Sequence, residues 1–283
     1  VGEYIEVPLQ VEGGNGDITW RILNTGLKDE SHKKGWRGLD VRKMVLPGLA
    51  INVNGLIEGT PALAGVYKAV FSAADADPND PDSAELEALI TVGPPGQGVC
   101  FARSVEEGPE IDGVIDEAFG ELTNTVTNTV KGNPSCSARF ATIYDKQKIY
   151  VAVEVTDDNL VAGSENAWHD DGIELYFDRH GNKEVEYNSD DSRIVYSLSG
   201  AIHAYGELEG RTTAAFKRTE TGYTAEIKID PAGRCKQYNV HGFDLGVNDN
   251  DGNEDVGRIM WTGTAENETD TSGFGTLVLK EGN

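Results

Sequence analysis

The stretch Trp168-His169-Asp170-Asp171-Gly172-Ile173-Glu174-Leu175-Tyr176-Phe177-Asp178 decides how the chain is read. From Gly172 onward Ile173, Leu175 and Phe177 alternate with Glu174, Tyr176 and Asp178, the period of a strand with one buried face. A tryptophan stands just ahead of it, and the second face carries a carboxylate and a phenol instead of inert hydroxyls. A flat apolar ring beside hydrogen-bonding groups suits a sugar, which has a C–H face and a rim of hydroxyls. An edge strand with a half-buried tryptophan packed beside it accounts for the same residues, so this stretch alone leaves both readings open.

Working outward, strand patterns recur over residues 138–145, 149–156, 193–199, 223–229, 242–248, 257–262 and 275–279, with no sustained helical periodicity. They predict an all-β chain whose larger part, residues 108–283, is an antiparallel β-sandwich. Upstream, Ile18-Thr19-Trp20-Arg21-Ile22 alternates after the turn Gly13-Gly14-Asn15-Gly16-Asp17, and a polar, basic insertion runs from Asn24 to Lys43. The composition of Gly93-Pro94-Pro95-Gly96-Gln97-Gly98 is that of a linker. The expected organisation is a small β domain over residues 1–93, a linker over 94–107 and the sandwich over 108–283.

At 283 residues, 38% hydrophobic and 25% charged, the chain can bury a core. It has no run of about 18 apolar residues that would cross a membrane. Its 48 acidic against 24 basic residues give a net charge of −24, which repels phosphates and anionic lipid heads. Neither nucleic acid nor a membrane is expected as a partner. A first residue of Val, with this acidity, suggests a piece of a longer secreted or cell-surface protein, hence an extracellular location. The cysteines Cys100, Cys136 and Cys235 have no zinc spacing. A disulfide between Cys136 and Cys235 is expected, with three unpaired thiols as the alternative. The acidic runs Asp75–Asp82 and Asp249–Asp255 offer oxygens for a structural Ca²⁺, or are hydrated turns. No other cofactor is expected.

The order Gly13-Gly14, Trp20, Leu46-Pro47-Gly48-Leu49, Gly55-Leu56-Ile57-Glu58-Gly59-Thr60-Pro61 and Ala64-Gly65-Val66-Tyr67 resembles a bacterial immunoglobulin-like repeat, which implies an Ig-like spacer domain over residues 1–92. The order Ile111-Asp112-Gly113 with Asp116-Glu117-Ala118-Phe119, Ile149–Asp157, Trp168 with Asp171, Glu174 and Asp178, Gly222-Tyr223 with Glu226, Gly242–Asp249, Trp261 and Phe274-Gly275 resembles carbohydrate-binding module family 9 and its DOMON-like relatives, over nearly all of residues 108–280.

That resemblance implies a non-catalytic module holding a sugar between two tryptophans, Trp168 and Trp261, with Glu174 as a ligand-contacting carboxylate. Alternation puts Trp261 opposite Met260, however, and Trp261 as ordinary core is the competing reading. The family often has Gln and Arg where this chain has Arg193 and Val195; Arg193 would reach the sugar from one register away. Asn248 can donate to and accept from a hydroxyl. The implied partners are a glucan- or xylan-type polysaccharide or oligosaccharide, bound along the chain or at its end, and the catalytic domain of a larger parent chain. Two alternatives are a structural or adhesive surface module without a sugar site, and a DOMON-type haem domain using Met260 with His169 or His203.

Overall fold

The structure, a computed structural model, describes residues 5–10, 18–24, 44–46, 48–52, 54–62, 65–75, 83–92, 98–233, 235–237, 239–252 and 256–280. Most of the insertion from Asn24 to Lys43 and of the Asp75–Asp82 loop lies outside them. The chain divides into two compact units, one of residues 1–96 with 236–239 and a larger one of residues 97–235 and 240–283. No helix among the described residues is long and apolar enough to cross a membrane.

The first unit contains β1 (Ile5–Pro8), β2 (Thr19–Asn24), β3 (Met44–Leu46), β4 (Leu49–Ile51), β5 (Leu56–Gly59), β6 (Gly65–Ala74) and β7 (Ser83–Val92). They form two sheets, ordered β1-β5-β4-β3 and β2-β6-β7. Leu49, Ile51 and Ile57 from the first pack with Trp20, Ala69, Phe71 and Ala73 from the second. Gly55 turns with φ +83°, and a Cβ there would run into the Trp20 indole, so only glycine fits this turn.

The second unit contains β8 (Val99–Ser104), β9 (Asn124–Val126), β10 (Asn128–Lys131), β11 (Ser137–Tyr144), β12 (Ile149–Thr156), β13 (Gly172–Asp178), β14 (Asp191–Ser197), β15 (Ile202–Gly206), β16 (Thr212–Arg218), β17 (Gly222–Ile229), β18 (Val240–Asp249), β19 (Gly257–Met260) and β20 (Gly275–Lys280). The main path is β15-β14-β13-β18-β20-β8-β11-β12-β17-β16, with β19 on β18, β10 on β19 and β9 on β11. Val151, Val153 and Ile227 from one end of this path share a core with Ile173, Leu175, Ile194 and Leu245 from the other. The sheet therefore curls over itself into the two layers of a sandwich.

Two expectations are corrected. Residues 99–104, placed in the linker, form β8, which lies inside the sheet with parallel partners β11 and β20 on either side. Its alternation buries Cys100 and Ala102, but a short strand directly after a Gly/Pro run reads as the tail of that run. All three cysteines are free and buried. Cys136 precedes β11, while Cys235 lies by Asp145 and Lys148, beyond that strand's other end. A strand's length separates the two sulfurs, whereas a disulfide needs Cα atoms roughly 5.5–6 Å apart.

Candidate functional site

β13 is paired on both sides, by β14 and β18. Its predicted alternation holds: Ile173, Leu175 and Phe177 enter the core, while Glu174 and Tyr176 face the other way. That second face is not open, since Glu174 and Tyr176 are both fully buried. Register aligns Tyr205, Arg193, Tyr176 and Asp244 in one cross-strand row and His203, Val195, Glu174, Gly246 and Met260 in the next. Gly246 leaves room for Met260, since a Cβ there would come within 2.7 Å of the Met260 sulfur.

Arginines converge on Glu174. Its Oε1 accepts from Asn248 Nδ2 at 2.9 Å and lies 2.7 Å from Arg258 Nη2. Its Oε2 accepts from Tyr176 Oη at 2.6 Å and from Arg193 Nε at 3.1 Å. Arg258 also donates from Nε to Asn248 Oδ1 at 2.8 Å and from Nη1 to Glu268 Oε1 at 2.7 Å. Arg193 Nη2 reaches the same Glu268 oxygen at 3.1 Å. Each carboxylate thus bridges both guanidiniums, an arrangement of charge-assisted hydrogen bonds that fixes the rotamers of all four. Burial opposes the charge on each arginine and is the largest single influence, yet Glu174, Tyr176 and Glu268 together outweigh it and raise both pKa values. Burial likewise opposes ionised Glu268, but the hydrogen bond from Arg258 and the charges of Arg193, Arg258 and Lys131 hold it below its ordinary range. Burial, then the Glu174 charge, pushes the Tyr176 phenol well up, so it stays a donor.

Above this network lies a cavity of about 370 Å³ lined by Lys131, Trp168, His169, Arg193, Val195, Tyr205, Val256, Arg258 and Glu268. Trp168 stands at its side, 36% exposed, on the short 3₁₀ turn Ala167–His169. The turn is pinned from beneath. Asp170 accepts from Gly163 N at 3.1 Å, Ser164 N at 2.8 Å and Ser197 Oγ. Asn250 Nδ2 donates to the His169 carbonyl. The His203 ring meets the indole edge-on at 5.7 Å. Asp244 accepts from Thr262 Oγ1 at 2.7 Å, Gly263 N at 2.6 Å and Asn267 Nδ2 at 3.2 Å, which sets the turn bearing Glu268.

Of the residues expected at the site, Trp168 and Arg193 line the cavity, and Glu174 and Asn248 form the buried layer under it with their polar atoms already paired. Trp261 is elsewhere. It packs edge-on against Phe140 at 5.2 Å and Phe243 at 6.1 Å, over Gly275, on the core side of the sheet. The two tryptophans therefore do not face one another; alternation along β19 sends Arg258 and Met260 to the Glu174 face and Ile259 to the core, and Trp261, the next residue after the strand, also packs on the core side. Met260 is fully buried with Tyr176 and Phe274, away from His169 and His203. Arg258, Glu268, Tyr205 and Lys131 escaped the sequence reading. The same alternation that isolates Trp261 could have found Arg258.

Two buried acid clusters flank β13. Asp157, Asp171 and Asp249 bring carboxylate oxygens within 4.8 Å of one another, as do Asp178, Asp190 and Asp191. In the first, Asp249 Oδ2 accepts from Ser135 N at 2.6 Å and Cys136 N at 3.0 Å, and Asp171 Oδ1 from Asn250 N at 2.8 Å. Asp157 Oδ2 and Asp249 Oδ1 are buried without a hydrogen-bond partner, as is Asp191 Oδ1 in the second cluster. Burial pushes Asp171 up to about 7 and Asp191 up to about 6, with neighbouring aspartates adding to it and backbone donors opposing it.

A curled β-sandwich without helical layers, with a half-exposed tryptophan beside a polar cleft, defines the class as an all-β binding module. The model of the family described as "Carbohydrate family 9 binding domain-like" matches residues 111–282, and the chain belongs to that family. The match is to a binding domain, not a catalytic one. An exoglucanase, XynX, of Acetivibrio thermocellus is 34% identical over 189 residues, 63% of this chain and 17% of the relative. An endo-1,4-beta-xylanase A of Thermotoga neapolitana is 26% identical over 283 residues, 93% of this chain and 26% of the relative. The chain thus spans about a quarter or less of these curated relatives. Two solved family 9 modules from Caldicellulosiruptor kristjanssonii share the fold. The one in complex with cellotriose has a TM-score of 0.58 at 23% identity, covering 65% of this chain and 95% of that one. The one in complex with glucose has a TM-score of 0.60 at 21% identity, covering 65% and 97%.

Proposed function

We propose that the module binds a sugar of a glucan- or xylan-type chain, or its end, in the cleft beside Trp168. The observation that carries this reading is an exposed indole held rigidly beside a cleft whose polar floor is already organised. The indole covers one C–H face of a pyranose, removing apolar area from water at about 25 cal/mol per Å². Tyr205 on β15 offers a second, smaller apolar surface. The outward edges of Arg193 and Glu268 meet hydroxyls as donor and acceptor. Glu174 and Asn248 act through the arginines by holding them in place.

Structural Ca²⁺ fits the two buried acid clusters. Closely spaced carboxylate oxygens without a cationic side chain in the first cluster, some without any partner, are the donor set of a hard cation. Asp157, Asp171 and Asp249 would hold one ion, and Asp178, Asp190 and Asp191 another. Asp171 also ties down the loop carrying Trp168 through Val161 N and Asn250 N, so the first ion would support the sugar site. The first unit, as an Ig-like spacer, and the module would belong to a larger secreted or surface protein whose catalytic domain acts on the bound polysaccharide.

Titration of the protein with cellotriose, xylotriose and glucose, in calcium and again in EDTA, tests this. Binding with one-to-one stoichiometry that weakens in EDTA is expected. No heat with any sugar in calcium would overturn the sugar reading, and unchanged affinity and stability in EDTA would overturn the metal reading.

A further inference from the structure

The cleft differs in charge from the chain that carries it. The chain has a formal net charge of −24, yet the cleft is lined by the cations Lys131, Arg193 and Arg258 and one anion, Glu268. Glu174 beneath the floor and Glu268 at the rim balance the two guanidiniums they bridge. One positive charge is left over among these side chains. Arg258 is 5% exposed, and its donors are engaged by Asn248, Glu174, Glu268 and Tyr176. Arg193 aims Nε and Nη2 at Glu174 and Glu268, and its Nη1 has no partner among the described residues. Lys131, exposed at the end of β10, forms no ion pair among the described residues. Two cationic side chains that line the cleft thus keep donors with no acceptor among the described residues, and Glu268 Oε2 has no donor among them.

We propose that the sugar selected here is a hexuronic acid and that Arg193 Nη1 and Lys131 receive its carboxylate. The inference rests on the sugar-binding reading above and narrows its ligand. A neutral sugar leaves the surplus cation unmatched, whereas a carboxylate has two oxygens for two donors and gains charge-assisted bonds. Val195 on the cleft wall contributes no polar atom, so hydroxyl recognition alone has few partners on that side. Discrimination therefore falls on the substituent at C6, where hexose and hexuronic acid differ.

The test is calorimetric titration of the whole 283-residue chain with D-glucuronate, D-glucuronamide and D-glucose, and with D-galacturonate and D-galactose. In one of the two series the uronate should bind about tenfold more tightly than its uncharged counterparts, as expected for one charge-assisted contact. Lys131→Gln, at an exposed position, should bring that ratio to about 1. Uronates that bind no better than the neutral sugars in either series, or a preference that Lys131→Gln leaves intact, would overturn the proposal. Binding of the neutral sugars alone would leave the sugar-binding reading standing; silence toward all five and toward cellotriose would remove both.

Discussion

Asp171 and Glu174, just before and within β13, are both fully buried, and their charges are met in opposite ways. Glu174 has Arg193 and Arg258 against its oxygens. Asp171 has Asp157 and Asp249 instead, more negative charge. An isolated buried carboxylate is costly, so one built among cations is complete, and one built among other carboxylates requires an ion or a proton. The contrast separates a part of the site that the chain finishes by itself from a part that the proposed calcium would finish.

Breaking the complete cluster has the largest expected effect. Glu174→Ala leaves Arg193 and Arg258 with Glu268 as their one shared carboxylate, and should lower stability by about 4 kcal/mol in denaturant unfolding, as breaking buried pairs does. A loss below about 1 kcal/mol would show that solvent already screens the network. Trp261→Ala comes next. Removing a ring packed on Phe140 and Phe243 should cost about 3 kcal/mol, with sugar affinity unchanged once the protein is folded. The incomplete cluster predicts the opposite sign. Asp249→Asn places an amide where Oδ1 lacks a partner, so it should stabilise the calcium-free protein by about 1 kcal/mol while weakening calcium binding. Destabilisation in EDTA would contradict the account of that cluster.

Much of this was legible in the sequence because alternation is a local signal. The stretch Gly172–Asp178 gave the two faces of β13 correctly, and Ile149–Thr156 became β12 residue for residue. What alternation cannot report is which face another element covers. Glu174 was expected to touch ligand, but Asn248 of β18, Arg193 of β14 and Arg258 of β19 occupy its oxygens and leave it fully buried. Arg258, Glu268 and Lys131 come from three separate segments; the pairing of β10 with β19 brings Lys131 beside Arg258, and the contacts of Asp244 with Gly263 and Asn267 set the turn that adds Glu268. Trp261 shows the reverse error. The family resemblance pointed to the site, and its parity opposite Met260 pointed to the core, against which the structure packs it.

On the proposed reading the two tryptophans divide the work: Trp168 would hold the sugar, and Trp261, packed on Phe140 and Phe243, supports the fold. Titration of cellotriose into the wild type, Trp168→Ala and Trp261→Ala, each checked for folding, tests it most directly. Trp168→Ala should change stability by less than about 0.5 kcal/mol and lower affinity by more than about tenfold, with Trp261→Ala retaining wild-type affinity. Unchanged binding by Trp168→Ala, or its loss in a folded Trp261→Ala protein, would contradict the account.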